Sequence, residues 1–448
     1  MVQAAGHRDV NFTEGGVLRN LILFAIPIIL SELLQNLYNS VDSIVVGNFV
    51  SDAALAAVSV CAPITNLMVG FFNGMSLGNT VVVARAFGSG NAEKTRRSIR
   101  YAFTFSVALG VFVSMLSILL APALLRITGC NEEIYLEAIV YLRIYLGGVM
   151  FTVIYNCGTG ILRAIGDSRG PLKILAATSA VNIALDLLLV GAFSWGTAGV
   201  GIATIIAQGI SVILINAQIS RRSGTGCIAF SETWRHGRKT VFSSLNVGFA
   251  AGAQSALIAF SNIFVWSYIG SFPTTVSAGV GAANKVDRFV VLPCKALGMT
   301  TTTFVSQNIG AGKYRRARMG IWYGMGLSAA VTMSLALFLY FFAESIARCF
   351  SQEPNVISVG AGMSRFMAPF YLLMVVREVL TGYLRGYGHS RMPAILSLLG
   401  MVGVRQLYLA WAMPRYESVR IIYACYPIGW GAAMVFLLIY TLVILKRI

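Results

Sequence analysis

Apolar runs of about 20 residues, the length an α-helix needs to cross a bilayer, recur along almost the whole chain. A segment crossing hydrocarbon must satisfy its backbone N–H and C=O groups within itself, so such runs fold as transmembrane helices. About twelve are predicted. They cover residues 18–44, 53–77, 98–121, 134–158, 171–193 and 197–219, then 241–266, 274–299, 317–341, 356–384, 392–413 and 419–444. Composition agrees: 57% of the 448 residues are hydrophobic, 11% are charged, and the mean hydropathy is +0.74, outside the soluble globular range. The expected fold class is an all-α polytopic membrane protein. The leading "MVQAAGHRDVNFTEGG" is polar and the run after it is too long for a signal h-region, so the first helix is expected to be its own insertion signal.

A net charge of +17 does not point to nucleic acid here, because the basic residues follow membrane topology. They concentrate in alternate connections: "NAEKTRRSIR", "LRAIGDSRGPLK", "SRRSGTGCIAFSETWRHGRK", "GKYRRARMG", "LRGYGHSRMP" and the terminal "KRI". The opposite connections hold only Arg126, Arg348, Arg415 and Arg420. The positive-inside rule then puts both termini in the cytoplasm of a multi-pass protein of the bacterial inner membrane. The seven cysteines lack paired spacing and His7, His236 and His389 lack acidic or cysteine neighbours, so neither a disulfide framework nor a metal site is expected.

Slid on itself by 222 residues, the chain matches in three separated places. "VVVARAFGSGNAEKTR" lies over "TFVSQNIGAGKYRRAR", "LRAIGDSRGP" over "LRGYGHSRMP", and Arg143 over Arg365. A duplication with about six helices per copy gives two parallel lobes, residues 1–219 and 241–448, joined by a cytoplasmic linker over 220–240 whose polar, glycine-containing composition suits a flexible connector. A cleft between two such bundles suits alternating access. The glycines and loop arginines shared by both copies read as scaffold, setting turns and orientation. Ionisable residues without a counterpart are the functional candidates.

Ionisable groups within the bilayer are costly unless paired or wetted. In the first lobe these are Glu32, Asp42 and Asp186; the offset puts Phe264 opposite Asp42 and Tyr408 opposite Asp186, so neither aspartate is duplicated. Counting from the outer turns puts Asp42, Asn182, Asp186 and Thr204 within about one helical turn of a common depth, roughly 10 Å below the outer surface. Glu32, Gln35, Tyr38, Asn39 and Asp42 recur at spacings of three and four, a polar stripe that must face protein or water. Carboxylates with an amide and a hydroxyl suit a small hard cation, and partly desolvated carboxylates also carry protons near neutral pH. The structural alternative is hydrogen bonding between neighbouring helices. The second lobe instead holds Lys285, Asp287, Arg288, Lys295, Arg365, Arg377, Glu378 and Arg405, a net positive set in which Asp287 is expected to pair with an arginine of the tenth run. Of these, Asp287, Arg288, Arg377, Glu378 and Arg405 join Glu32, Gln35, Tyr38 and Asn39 as substrate-cleft candidates.

The chain resembles the multidrug and toxic compound extrusion (MATE) transporters of the wider flippase superfamily, from "TEGGVLRNLILFAIPIILSELLQNLYNSVDSIVVG" through "TTTFVSQNIGAG" to "GYLRGYGHSRMP". Its first half is similar to the DinF-like branch, in which a first-helix aspartate, an Asn-x-x-x-Asp pair and a sixth-helix threonine form the ion site. These match Asp42, Asn182, Asp186 and Thr204. The seventh run, "VFSSLNVGFAAGAQSALIAFSNIFVW", lacks the acid used by the other large bacterial branch. The resemblance implies export of organic, commonly cationic and amphipathic compounds in exchange for H+ or Na+, with no cofactor beyond the coupling ion, by a protein expected to act as a monomer.

Three other readings compete. A flippase for an anionic lipid-linked or phosphorylated substrate is favoured by the basic second lobe, and more so if Arg288, Arg377 and Arg405 prove unpaired. A major facilitator transporter shares the two-bundle plan, but "VVVARAFGSGNAEKTRRSI" lacks its Asp-Arg motif. A polytopic membrane enzyme would want a nucleophile, metal-ligand histidines or a nucleotide loop, and the polar segments carry no such motif.

Overall fold

The computed structural model describes residues 10–50, 52–128, 130–224, 228–416 and 418–446; within these, the side chains of residues 39, 42–44, 46–49, 52–55 and 127 are outside the description. Among the described residues all regular structure is helical and twelve helical spans are long and apolar enough to cross a membrane. In chain order the helices are α1 (Val17–Phe49), α2 (Asp52–Gly88), α3 (Ala92–Ile127), α4 (Glu132–Ala164), α5 (Arg169–Asp186) and α6 (Gly196–Ser223). The short α7 (Phe230–His236) precedes α8 (Arg238–Ile269), α9 (Thr274–Gly310), α10 (Tyr314–Arg348), α11 (Pro354–Met367) and α12 (Tyr371–Gly386). Last come α13 (Arg391–Leu398), α14 (Arg405–Ala412) and α15 (Val419–Leu445). One 3-10 turn joins α11 to α12, and π-helical segments Leu187–Ala192 and Leu399–Val404 continue α5 and join α13 to α14.

The 222-residue repeat is written into these boundaries. Asp52 and Gly88 of α2 map onto Thr274 and Gly310 of α9, and Glu132 and Ala164 map onto the start of α11 and the end of α12. The paired glycines explain why. Gly90 and Gly312 have φ of 72° and 70°, and Gly166 and Gly388 have 93° and 85°, the left-handed conformation that ends a helix and that only glycine adopts without strain. At Gly166 a Cβ would also meet the Val10 carbonyl oxygen at 2.3 Å. The two π segments break the repeat: one follows Asp186, whereas the other precedes Arg405.

The chain divides into two compact units, one holding Ile26–Gly252 and the other Phe12–Ala25 with Ala253–Ile448. The division falls inside α1 and α8 rather than in the connector, so each of these helices contributes to both units. In the first unit α4 is central, packing on α2, α3 and α6, with α5 against α6. In the second, α9 packs on α10, α11 and α12, and α15 on the second π segment. The described residues of the 220–240 connector include helical stretches on either side of residues 225–227, which lie outside the description. Helix α6 runs to Ser223, α7 occupies its middle, and Arg100 Nη1 donates to Glu232 Oε2 at 2.5 Å while the Ala229 N–H donates to Thr104 Oγ1 at 3.0 Å.

The six described cysteines, Cys61, Cys130, Cys157, Cys294, Cys349 and Cys425, are free thiols; Cys227 lies outside the described residues.

Candidate functional site

Asp186 is the last residue of α5 and is fully buried at 0% exposure, with Asn182 one turn earlier on the same face at 1%. The helix widens immediately beyond them: Phe193 N–H donates to Leu188 O, an i to i−5 bond, at 3.0 Å. Such π turns are frequent at functional sites. Helix α6 returns alongside α5, carrying buried Thr204, whose hydroxyl donates to Val200 O at 2.9 Å.

One apolar cluster fixes the relative level of these elements. Val45 of α1, Val190 of the π segment and Val200 of α6 are buried together, with Val41 packed against them. Val190 is one turn beyond Asp186, and Val200 is one turn before Thr204 on the returning helix. Asp186 and Thr204 therefore lie on the same side of this cluster, at the same distance in turns, and Asn182 is one turn further along α5. The backbone of Asp42 is helical within α1, while its side chain and that of Asn39 lie outside the described residues. Glu32, Gln35 and Tyr38 are partly buried on α1.

The donor set on α5 and α6 is a carboxylate, an amide and a hydroxyl, which suits a proton or a hard monovalent cation and lacks the nitrogen or sulfur ligands of a transition-metal site. Among the described residues no three His, Cys, Asp or Glu side chains come together.

The charges of the second unit are arranged differently from the sequence expectation. Asp287 does not pair with an arginine; its Oδ1 accepts the Tyr371 hydroxyl proton at 2.5 Å across α9 and α12. Arg377, buried, pairs with its own neighbour Glu378. Tyrosine supplies Asp287 with a neutral donor. Arg288 is exposed, and Arg365 pairs with Glu344 of α10 at 3.1 Å. Arg405 is buried at 3% exposure with neutral partners only, donating to Asn262 Oδ1 at 2.9 Å and Ser261 Oγ at 2.6 Å.

Arg385 was expected in a scaffold loop; it lies inside α12 and donates to Gln254 Oε1 at 2.6 Å. Tyr371, Gln254, Ser261 and Asn262 thus join the polar interior without having been singled out in the sequence. A signal existed for three of them: Gln254 and Ser261 are seven residues apart on α8, one face of a helix, with Asn262 adjacent. Tyr371 and Asp287, 84 residues apart, carry no such signal.

Twelve apolar helices in a duplicated arrangement, with buried ionisable side chains on them, define a multi-pass membrane protein of the transporter type. The MatE family model matches residues 27–188 and again 250–410, two stretches displaced by the repeat offset to within one residue, and the chain belongs to that family. "Probable multidrug resistance protein YoeA" of Bacillus subtilis is 26% identical over 96% of this chain and 94% of its own length. A "FAD transporter" of Shewanella oneidensis is 24% identical over 68% of each chain. A solved structure described as "Outward-facing conformation of a multidrug resistance MATE family transporter of the MOP superfamily" is similar in fold, with a TM-score of 0.89 and 21% identity over 99% of this chain and 100% of that one.

Proposed function

We propose that this chain is a secondary active exporter of small amphipathic organic compounds, driven by inward movement of H+ or Na+. Membership of the MatE family and the names of its relatives support efflux as the activity. The observation that carries ion coupling is Asp186: a carboxylate at 0% exposure, next to Asn182 and abutting a π segment, on a helix packed against the one bearing Thr204.

Asp186, Asn182 and Thr204, with Asp42 on α1, are assigned to the coupling ion. A buried carboxylate costs several kcal/mol when charged and alone, so it binds a proton or a cation more tightly when water is excluded and releases it when wetted. An ion whose affinity differs between the inward- and outward-open states shifts the balance between them, and substrate with the opposite preference is then exchanged for it. No covalent step is needed. Both termini are placed on the cytoplasmic side by the charge of the connections, and a single chain is taken as the working unit.

The reading is tested by uptake into proteoliposomes under imposed H+ or Na+ gradients. Dye movement must follow one of the two gradients and collapse with it; movement indifferent to both would overturn the proposal.

A further inference from the structure

Arg405 is the one buried ionisable side chain of the second unit's candidates for which the described residues offer no carboxylate. Its guanidinium stays protonated at any accessible pH. Two of its nitrogens donate to Asn262 Oδ1 (2.9 Å) and Ser261 Oγ (2.6 Å), Tyr426 lies with its ring centre 5.9 Å from Cζ, and Nε has no hydrogen-bond partner among the described residues. The same Ser261 hydroxyl oxygen also accepts from Gln406 Nε2 at 2.8 Å. Met401 and Leu409, one turn to either side of Arg405, and Cys425 and Trp430, next to and one turn from Tyr426, belong to the buried apolar core of the second unit. A full positive charge is therefore held in a low-dielectric interior by neutral dipoles, an arrangement that costs several kcal/mol relative to an ion pair or to water.

The backbone is specialised to put it there. The π segment Leu399–Val404 ends at Arg405, and a residue added to a helical turn rotates the residues beyond it by about 100°. The segment is pressed onto α15, where a Cβ on Gly400 would lie 2.3 Å from the Ala433 nitrogen. The first unit uses the same device on the corresponding pair of helices, a π segment abutting a fully buried ionisable residue, but with the opposite sign of charge, Asp186.

We propose that the Arg405 cluster is a binding site for an oxyanion, a carboxylate or phosphate, borne by the transported compound. Ser261 and Asn262 occupy the guanidinium fork while the site is closed, and the oxyanion replaces them, accepting two parallel N–H bonds, when the second unit opens to substrate. The substrate class is then amphipathic organic anions and zwitterions. This rests on the transport reading for access, because Arg405 at 3% exposure is closed to solvent in this state.

The test uses two dyes that share a xanthene skeleton and differ in charge, fluorescein as the carboxylate anion and rhodamine 123 as the cation, with the whole protein in lipid nanodiscs. Wild type is expected to bind fluorescein; Arg405→Gln weakens that binding at least about tenfold, Arg405→Lys by about three- to tenfold because it keeps charge but loses the fork, and rhodamine 123 binding changes less than about twofold in both. Fluorescein binding that is absent in wild type or unchanged in Arg405→Gln overturns the site and makes Arg405 structural. Should Arg405→Gln fail to fold, wild-type affinity in Arg405→Lys overturns it equally. Gradient-driven dye transport in proteoliposomes is scored separately: transport without Arg405-dependent anion binding sinks this inference alone, and Arg405-dependent binding without transport sinks the exporter reading alone.

Discussion

Gly74 of α2 and Gly252 of α8 bring the two helix backbones into contact: a Cβ on Gly74 would lie 2.3 Å from the Gly252 nitrogen. One turn away, a Cβ on Gly78 would meet the Ser244 carbonyl oxygen at 2.0 Å. Small residues allow this approach in a membrane, where packing rather than water expulsion holds helices together. Gly74→Ala must separate the helices, and overpacking of this kind costs about 1–3 kcal/mol. A lower melting temperature in detergent, and a larger fall for Gly78→Val, would be seen by thermal shift; unchanged melting would contradict the contact.

The Asp287–Tyr371 hydrogen bond makes an asymmetric prediction. Tyr371→Phe leaves a half-buried carboxylate without its donor and is expected to cost about 1–3 kcal/mol. Pairing it with Asp287→Asn, which removes the charge, should restore part of the loss. A double-mutant cycle on thermal stability measures the coupling, and strictly additive effects would show that the bond contributes nothing.

Arg316 ties the segment before α1 to α10, donating to the carbonyl oxygens of Phe12 (2.9 Å), Glu14 (2.8 Å) and Gly15 (2.7 Å). Phe12 itself is at 0% exposure, and its N–H donates to Gln307 Oε1 at 3.0 Å. Arg316→Ala should speed amide exchange over residues 12–20 while leaving α10 protected. Exchange unchanged in that stretch would rule out the tether.

Docking of α7 depends on Glu232. The hydrogen bond from Arg100 holds its carboxyl below the ordinary glutamate range. A depressed folded-state pKa means that the stabilisation is present above the unfolded value and is lost as pH falls through the folded one. The pair is about a third exposed, so its worth is at most about 1 kcal/mol. Protection against exchange over 228–236, relative to the intrinsic rate at each pH, should be high at neutral pH, fall below the glutamate range, and be low at neutral pH in Arg100→Ala; protection independent of pH would remove Glu232 from the docking.

Much of this was legible in the sequence because the physics involved is local or repeated. Hydrocarbon length dictates the helices, and the shared glycines at 90, 166, 312 and 388 mark where each lobe must turn. Asp186 stands out because a charge in an apolar run without a repeat partner is costly, and Asn182 because it lies one turn away at a similar depth; both are buried. What the sequence did not reveal depends on contacts between helices. Asp287 finds Tyr371, not an arginine, because the partner is set by which side chain of the packed α12 faces it, a contact between residues 84 apart in the chain. The π segments carry no compositional mark, as "LLLVGA" and "LGMVGV" read like any apolar run. The connector's helix likewise depends on Arg100, 132 residues away from Glu232.

Coupling is assigned to carboxylates of the first unit, with buried Asp186 foremost. It is tested most directly by gradient-driven dye exchange in proteoliposomes of wild type, Asp186→Asn and Asp42→Asn, each checked for monodispersity. Asp186→Asn is expected to lower gradient-driven exchange at least about tenfold while dye binding without a gradient persists. Gradient-driven exchange surviving at wild-type rate in both variants would contradict it.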